Sequence, residues 1–103
     1  MKYDIRLAPE AADDLRDLKA NIRVVVRKAI EDHLRYEPTK ISKSRIKRLR
    51  GLSRPQYRLR VEAVRIFYDV TEDLVEILAI VPKEEADAWL EKAGELDEDS
   101  SSE

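Results

Sequence analysis

The sequence predicts an α+β fold: a small antiparallel sheet with an N-terminal helical hairpin on one face and a short C-terminal helix. Two patterns predict this fold. The first third of the chain carries apolar side chains at helical spacing, whereas the later part carries apolar side chains that alternate or run continuously, as in strands. A chain of 103 residues suffices for a single core. We therefore expect one domain over residues 1–93 and an acidic, disordered tail over residues 94–103.

The N-terminal half is predicted to form one strand and two helices. Apolar and charged side chains alternate over residues 2–7, which is typical of a half-buried strand. A first helix is predicted over residues 9–18, because Pro9 suits a first helical turn and the acids after it favour a helix N-terminus. For the second helix we predict Asn21 as the N-cap and an end before Pro38.

The valine triplet at residues 24–26 leaves a strand open as an alternative to this second helix. Charged side chains four residues apart on the opposite face favour the helix. They are Arg23, Arg27, Glu31 and Arg35.

The C-terminal half is predicted to form the sheet and a docking helix. The expected strands cover residues 46–49, 57–61, 64–70 and 74–81, and the helix covers residues 84–92. The last strand is nearly all apolar, as expected of a central strand covered on both faces. Trp89 is predicted to dock the helix on the sheet.

A two-residue turn at Glu62–Ala63 would determine which side chains share a face of the hairpin. The expected cross-strand pairs are Tyr57–Tyr68, Arg58–Phe67, Leu59–Ile66, Arg60–Arg65 and Val61–Val64. Since side chains alternate along a strand, the two tyrosines then face the core, and the three arginines share the other face with Phe67. Glu-Ala is not a favoured hairpin dipeptide, so this register is a hypothesis.

Positive charge is concentrated in the middle of the chain. Residues 40–65 contain ten basic side chains and one acid, Glu62, although the whole chain has a net charge of −2. Arginines placed directly opposite each other, such as Arg60 and Arg65, destabilise a strand pair unless an anion binds them. We expect this segment to bind a polyanion, with Phe67 offering a surface for base stacking. The alternative is a solvated face paired with the chain's acids.

Other signals are weaker. His33, the only histidine, fits a surface or capping role. Lys83 follows the apolar strand at a corner, where a functional and a structural role are both open. The sequence contains no Ser-His-Asp set, glycine-rich phosphate loop or cluster of metal ligands, so we predict neither a metal nor a cofactor. With no cysteine, no signal-peptide pattern and no apolar run of about 20 residues, we expect a cytoplasmic protein without a membrane partner.

Four segments carry a family resemblance: Leu49-Arg50-Gly51, the strand beginning Tyr57-Arg58, the strand beginning Val64-Arg65, and the apolar strand from Val75 to Ile80. In this order they resemble the RelE/ParE superfamily of type II toxin–antitoxin toxins, over about residues 2–92. The resemblance implies a microbial-RNase-like fold and a small antitoxin that wraps and neutralises the toxin. The RelE branch cleaves mRNA in the ribosomal A site, and the ParE branch inhibits DNA gyrase.

The resemblance also implies roles for single residues. Arg58 and Arg60 stand where RelE-like nucleases contact phosphate and aid deprotonation of the attacking 2′-hydroxyl. Arg65 matches the arginine that stabilises the transition state, and Lys83 stands in place of a later arginine. Near the C-terminus those nucleases carry a tyrosine, and this chain offers Trp89. Five further residues are predicted to contact RNA: Lys47, Arg48, Arg50, Arg54 and Phe67.

We therefore predict a toxin that acts as a metal-independent, ribosome-dependent mRNA endoribonuclease. Its expected partners are a cognate antitoxin, the ribosome and mRNA. Two alternatives remain: a gyrase inhibitor, and a member without catalytic activity that serves only as antitoxin partner or co-repressor.

Overall fold

A five-stranded sheet organises the protein, as seen in a computed structural model that describes residues 1–97. Its strands are β1 (Asp4–Leu7), β2 (Ile46–Arg48), β4 (Tyr57–Val61), β5 (Val64–Thr71) and β6 (Leu74–Pro82). They lie in the order β1-β6-β5-β4-β2, so the apolar strand β6 is central, as predicted. The predicted α+β class is confirmed.

The sheet is mixed, because β1 pairs in parallel with β6 while the other neighbours are antiparallel. The sequence predicted an antiparallel sheet. A parallel pair needs a long crossover between its strands. The two N-terminal helices provide the first part of that connection, carrying the chain away from β1 towards the opposite edge of the sheet.

The helical hairpin consists of α1 (Pro9–Asp17) and α2 (Ala20–Leu34). The valine triplet lies inside α2, so the helix alternative is confirmed there. The prediction of Asn21 as N-cap is wrong: the chain is extended at Lys19, which occupies the N-cap, and Asn21 lies within the first turn. Neither helix has a side-chain N-cap hydrogen bond, so packing on the sheet stabilises them.

The main core lies between this hairpin and one face of the sheet. The residues that fill it are apolar and fully or nearly buried, among them Ala11, Val26, Leu34, Leu59, Ile66, Val75 and Ile77. Tyr68 is also buried there; its ring stacks on Tyr57 at 5.5 Å between centroids, and its hydroxyl donates to the carbonyl oxygen of Pro38 at 2.6 Å. Both tyrosines therefore face the core, as predicted.

The β4–β5 hairpin has the predicted register. Val61 pairs with Val64, Arg60 with Arg65 and Arg58 with Phe67, so the turn is Glu62–Ala63. Glu62 has a φ of 53°, a left-handed conformation that costs a non-glycine residue about 1–2 kcal/mol. The burial of alternate side chains on both strands fixes this register and outweighs the conformational cost of the turn.

The C-terminal part departs from the prediction. A 3₁₀ turn at Lys83–Glu85 leads into α3 (Ala86–Ala93), and a short strand β7 (Glu95–Leu96) pairs with β3 (Leu52–Arg54) in a second, two-stranded sheet. The sequence predicted neither β3 nor β7, and it placed residues 94–97 in a disordered tail. The rest of that predicted tail lies outside the described residues.

No helix within residues 1–97 has the length and apolar character needed to cross a bilayer.

Candidate functional site

The second face of the sheet, here called the open face, carries α3 instead of the helical hairpin. Phe67 lies fully buried on this face with Ala79, Val81 and Ala86. Trp89 of α3 stacks on it, with ring centroids 4.9 Å apart and an angle of 7° between the planes. The predicted docking role of Trp89 is confirmed. Phe67 was predicted to offer its ring for base stacking, and in the structure α3 covers that ring.

A cleft of about 210 Å³ opens beside this aromatic stack, and we call it the basic cleft. Its charged lining residues are Lys47, Arg58, Arg65, Lys83 and Asp87, and its apolar ones are Leu49, Phe67, Ala86 and Leu90. Three of the four predicted catalytic residues, Arg58, Arg65 and Lys83, thus come together, and Lys47 of the predicted RNA-binding set joins them.

Strand register places these side chains. Lys47 on β2 lies opposite Arg58 on β4, and Arg58 lies opposite Phe67 on β5. Arg65, two residues before Phe67, points to the same face. Lys83 follows β6 directly, and its backbone N–H donates to the carbonyl oxygen of Ala63 at 2.8 Å, which ties the 3₁₀ turn to the hairpin.

Arg58 is held in an electrostatically unfavourable position. Its side chain is half-buried, and its Nε–H has no hydrogen-bond partner among the described residues. Burial lowers the pKa of this guanidinium, and the neighbouring charges of Arg65 and Arg60 lower it further. A buried donor without a partner raises the free energy of the folded protein by roughly 1–3 kcal/mol. An anion in the cleft would relieve that cost.

Arg65 is oriented by the backbone rather than by an acid. Its Nη1 donates to the carbonyl oxygens of Glu62 at 2.8 Å and Val64 at 3.0 Å. Burial lowers its pKa, as does the charge of Arg60, and Glu84 opposes both effects. Within residues 1–97 none of the four cations of the basic cleft forms an ion pair.

Arg60 does not line the cleft, although the sequence placed it in the active site. It pairs with Arg65 across the hairpin and is exposed. Arg60 lies two residues beyond Arg58 on β4, about 7 Å further along the strand.

Three of the predicted RNA-binding residues, Arg48, Arg50 and Arg54, do not line the cleft. The Arg48 guanidinium lies 5.3 Å from the Tyr57 ring centroid and donates to the carbonyl oxygen of Gln56 at 2.7 Å. Arg48 is one residue from Lys47, so it points to the opposite face of β2. Arg54 lies near two carboxylates, Asp69 at 3.6 Å and Glu76 at 3.5 Å. Arg50 is exposed in a turn.

Sequence reasoning missed Asp87. Helical spacing could have indicated it. Asp87 follows Lys83 by four residues and precedes Leu90 by three, a spacing that puts the three side chains on one helical face. Asp87 lies outside the basic segment of residues 40–65, in the acid-rich C-terminal part of the chain.

No tyrosine lines the basic cleft. Tyr68 faces the core, where burial raises the pKa of its phenol. Across residues 1–97, no three His, Asp or Glu side chains converge as metal ligands do.

The sequence of the folded part matches a known family. Residues 5–87 match the model of the ParE toxin of type II toxin–antitoxin systems, parDE. The chain belongs to the ParE toxin family. The predicted membership of the RelE/ParE superfamily is thereby confirmed.

Solved structures show the same fold for this ParE-family chain. A chain of the archaeal RelE–RelB complex from Pyrococcus horikoshii is 24% identical, with a TM-score of 0.66 over 81% of this chain and 97% of that one. The isolated E. coli RelE toxin is 20% identical, with a TM-score of 0.64 over 87% and 94%. The RelB–RelE complex from Methanococcus jannaschii is 20% identical, with a TM-score of 0.61 over 82% and 96%. No curated protein is significantly similar in sequence.

Proposed function

We propose that this ParE-family toxin is a metal-independent endoribonuclease that cleaves ribosome-bound mRNA and thereby blocks translation. The observation that supports this proposal is the basic cleft, a small cavity lined by four cations that form no ion pair within residues 1–97. A site of this kind favours a phosphodiester, whose charge would offset the repulsion among the cations.

The chemistry would use the RNA's own nucleophile. The ribose 2′-oxygen attacks the adjacent phosphorus while the bond from phosphorus to the 5′-oxygen breaks, leaving a 2′,3′-cyclic phosphate and a 5′-hydroxyl. Negative charge grows on the phosphoryl oxygens in the transition state. Arg58 and Arg65, already fixed by the sheet, would stabilise that charge, and such preorganised donors are worth about 3–4 kcal/mol each.

The ribosome would supply the geometry that the cleft lacks. No tyrosine or histidine lines the cleft, so precise placement of the 2′-hydroxyl in line with the leaving oxygen must contribute much of the rate. Exposed Arg50 and Arg60, which have no acidic partner in the described part of the chain, are available for ribosomal RNA.

A cognate antitoxin is the proposed protein partner. A cavity of about 520 Å³ between α2 and the β4–β5 turn is lined largely by apolar residues, including Leu18, Ile22, Val26, Val61 and Val64. Val24 nearby is 67% exposed, and exposed valines beside an apolar groove favour a protein ligand. The Pyrococcus and Methanococcus structures are toxin–antitoxin complexes.

Cleavage on ribosomes tests the proposal. The purified chain is added to ribosomes programmed with a defined mRNA, and primer extension maps new RNA ends. We expect cuts with wild-type protein and a loss of about 100-fold or more in rate for Arg65→Ala. Arg54→Ala is the matched control, since Arg54 has acidic partners outside the cleft. Arg65→Ala that cuts at the wild-type rate would contradict the proposed site.

Inhibition of DNA gyrase is the second candidate function, favoured by the match to the ParE family model. A supercoiling assay with purified gyrase distinguishes the two candidates. Gyrase inhibition with intact mRNA on ribosomes would favour this second candidate. Normal antitoxin binding without growth arrest would contradict both candidates and leave the chain as an antitoxin partner or co-repressor.

A further inference from the structure

Asp87 stands apart from the other charged residues of the basic cleft, because it is the carboxylate among four cations. It is an exposed residue of α3 and lines the same cavity as Arg58 of β4 and Arg65 of β5. In the described portion of the chain it forms no ion pair, and no side-chain hydrogen bond involves it. A carboxylate that lines the cleft without a hydrogen-bond or ion-pair partner within residues 1–97 has its oxygens free for a bound ligand.

We propose that the Asp87 carboxylate is the proton acceptor for the 2′-hydroxyl of the bound RNA, an inference that rests on the proposed ribonuclease function. The 2′-oxygen forms its bond to phosphorus as its proton passes to an Asp87 oxygen. The bond from phosphorus to the 5′-oxygen breaks, and that oxygen takes a proton from water. The proton on Asp87 then returns to solvent, so the carboxylate is regenerated.

The neighbouring groups are poorer candidates. The guanidiniums of Arg58 and Arg65 stay protonated at any ordinary pH and cannot accept a proton. His33 lines a different cavity, with Asp32, Glu37 and Arg45. Glu84 does not line the cleft.

A structural role for Asp87 is the competing explanation. Asp87 lies in the first turn of α3, where a negative charge stabilises a helix by roughly 0.3–1 kcal/mol. A purely structural acid would affect folding and RNA binding together. A proton acceptor affects the chemical step while its removal leaves binding intact, or strengthens it by taking one negative charge from the cleft.

The experiment compares Asp87→Asn and Asp87→Glu with wild type on mRNA-programmed ribosomes. Single-turnover cleavage, RNA affinity and the pH–rate profile are measured for each. We expect Asp87→Asn to cleave about 100-fold or more slowly, with RNA affinity equal to or tighter than wild type. Asp87→Glu should recover part of the rate. The rise of the wild-type rate with pH at the acidic end should be absent from the Asn variant.

Glu91→Gln is the matched control, because Glu91 lies one turn further along α3, is exposed and does not line the cleft. It should keep the wild-type rate. If wild type cleaves and Asp87→Asn keeps both its rate and its pH profile, the assignment of Asp87 is overturned alone. Equal losses in the Asn and Glu variants, with weaker RNA binding, would also overturn it. A wild-type protein that cuts no RNA would overturn the proposed function and this assignment together.

Discussion

The open face of the sheet has two ends, and they differ in whether acids pair with the arginines there. At one end, the basic cleft holds Arg58 and Arg65 with no acid paired to either in the described residues. At the other, Arg54 lies within 3.6 Å of Asp69 and 3.5 Å of Glu76, and Glu76 also pairs with Arg6 at 3.0 Å. We call this second region the paired end. The Phe67–Trp89 stack separates the two, since Phe67 lines the cleft and Trp89 lines the cavity beside Arg54.

The two ends thus differ in electrostatics: acids neutralise the arginines at the paired end, and no described acid pairs with those in the cleft. At the paired end, opposite charges offset each other and the side chains support the second small sheet. In the cleft, like charges repel and a buried donor has no partner among the described residues, and both lower the stability of the fold. Groups kept in a costly state are candidates for function.

Removing the aromatic wall between the two ends should have the largest effect on stability. Phe67→Ala deletes a fully buried ring that stacks on Trp89, and we expect the free energy of unfolding to fall by about 3–5 kcal/mol. Urea denaturation measures the change. Phe67→Leu, which keeps most of the volume, should cost less than about 1.5 kcal/mol. A small loss for Phe67→Ala would mean that α3 does not depend on this stack.

Arg58→Met should separate function from stability in the cleft. Methionine retains the apolar stem and removes the unpartnered Nε–H, so we expect the free energy of unfolding to rise by about 1 kcal/mol. RNA cleavage should fall sharply, because a phosphate ligand is lost. Both are measured on the same preparation. Lower stability in Arg58→Met would indicate a structural role for this guanidinium.

Arg54→Ala should change the free energy of unfolding in the opposite direction from Arg58→Met, and by a smaller amount. Loss of its two carboxylate contacts should lower the free energy of unfolding by roughly 0.2–1 kcal/mol, and less in 1 M salt. A double-mutant cycle with Glu76→Gln isolates the contribution of that pair. Activity on ribosomes should be unchanged; reduced cleavage would place the paired end in the RNA-binding surface.

The smallest expected effect is the pH dependence of stability that Asp69 causes at the paired end. Burial raises the pKa of Asp69 above its usual 3.8, against the lowering effects of the Gln56 N–H and Arg54. The folded protein therefore binds this proton more tightly than the unfolded chain, so stability from Asp69 is lost as pH rises from about 3.8 through the folded pKa. The stability of Asp69→Asn relative to wild type should rise over that window and level off above it. A pH-independent difference would contradict the shift.

The hairpin and the helices could be predicted because local patterns specify them. Alternation over β4 and β5 put Tyr57, Leu59 and Val61 on one face, and a one-residue slip would have exposed that whole set. The register therefore followed from the sequence even though the turn dipeptide was unfavourable. The same period put Arg58 and Arg65 on one face.

Arg54 and Phe67 differ from their predicted surroundings because each contacts residues that are distant in sequence. Arg54 meets Glu76, 22 residues away, and the β3–β7 pairing brings residue 54 beside residue 95. Phe67 is buried because Trp89 of α3, 22 residues later in the chain, stacks on its ring. Composition counts charge along the chain and cannot show which charges meet an acid.

The sequence by itself thus determined the α+β class, the hairpin register and the face on which the arginines gather, because strand and helix periods are local properties. Only the tertiary structure decided which end of that face is neutralised and which is left cationic, because the docking of α3 and β7 sets those distances. The same docking places Asp87 of α3 in the lining of the cleft that holds Arg58 and Arg65.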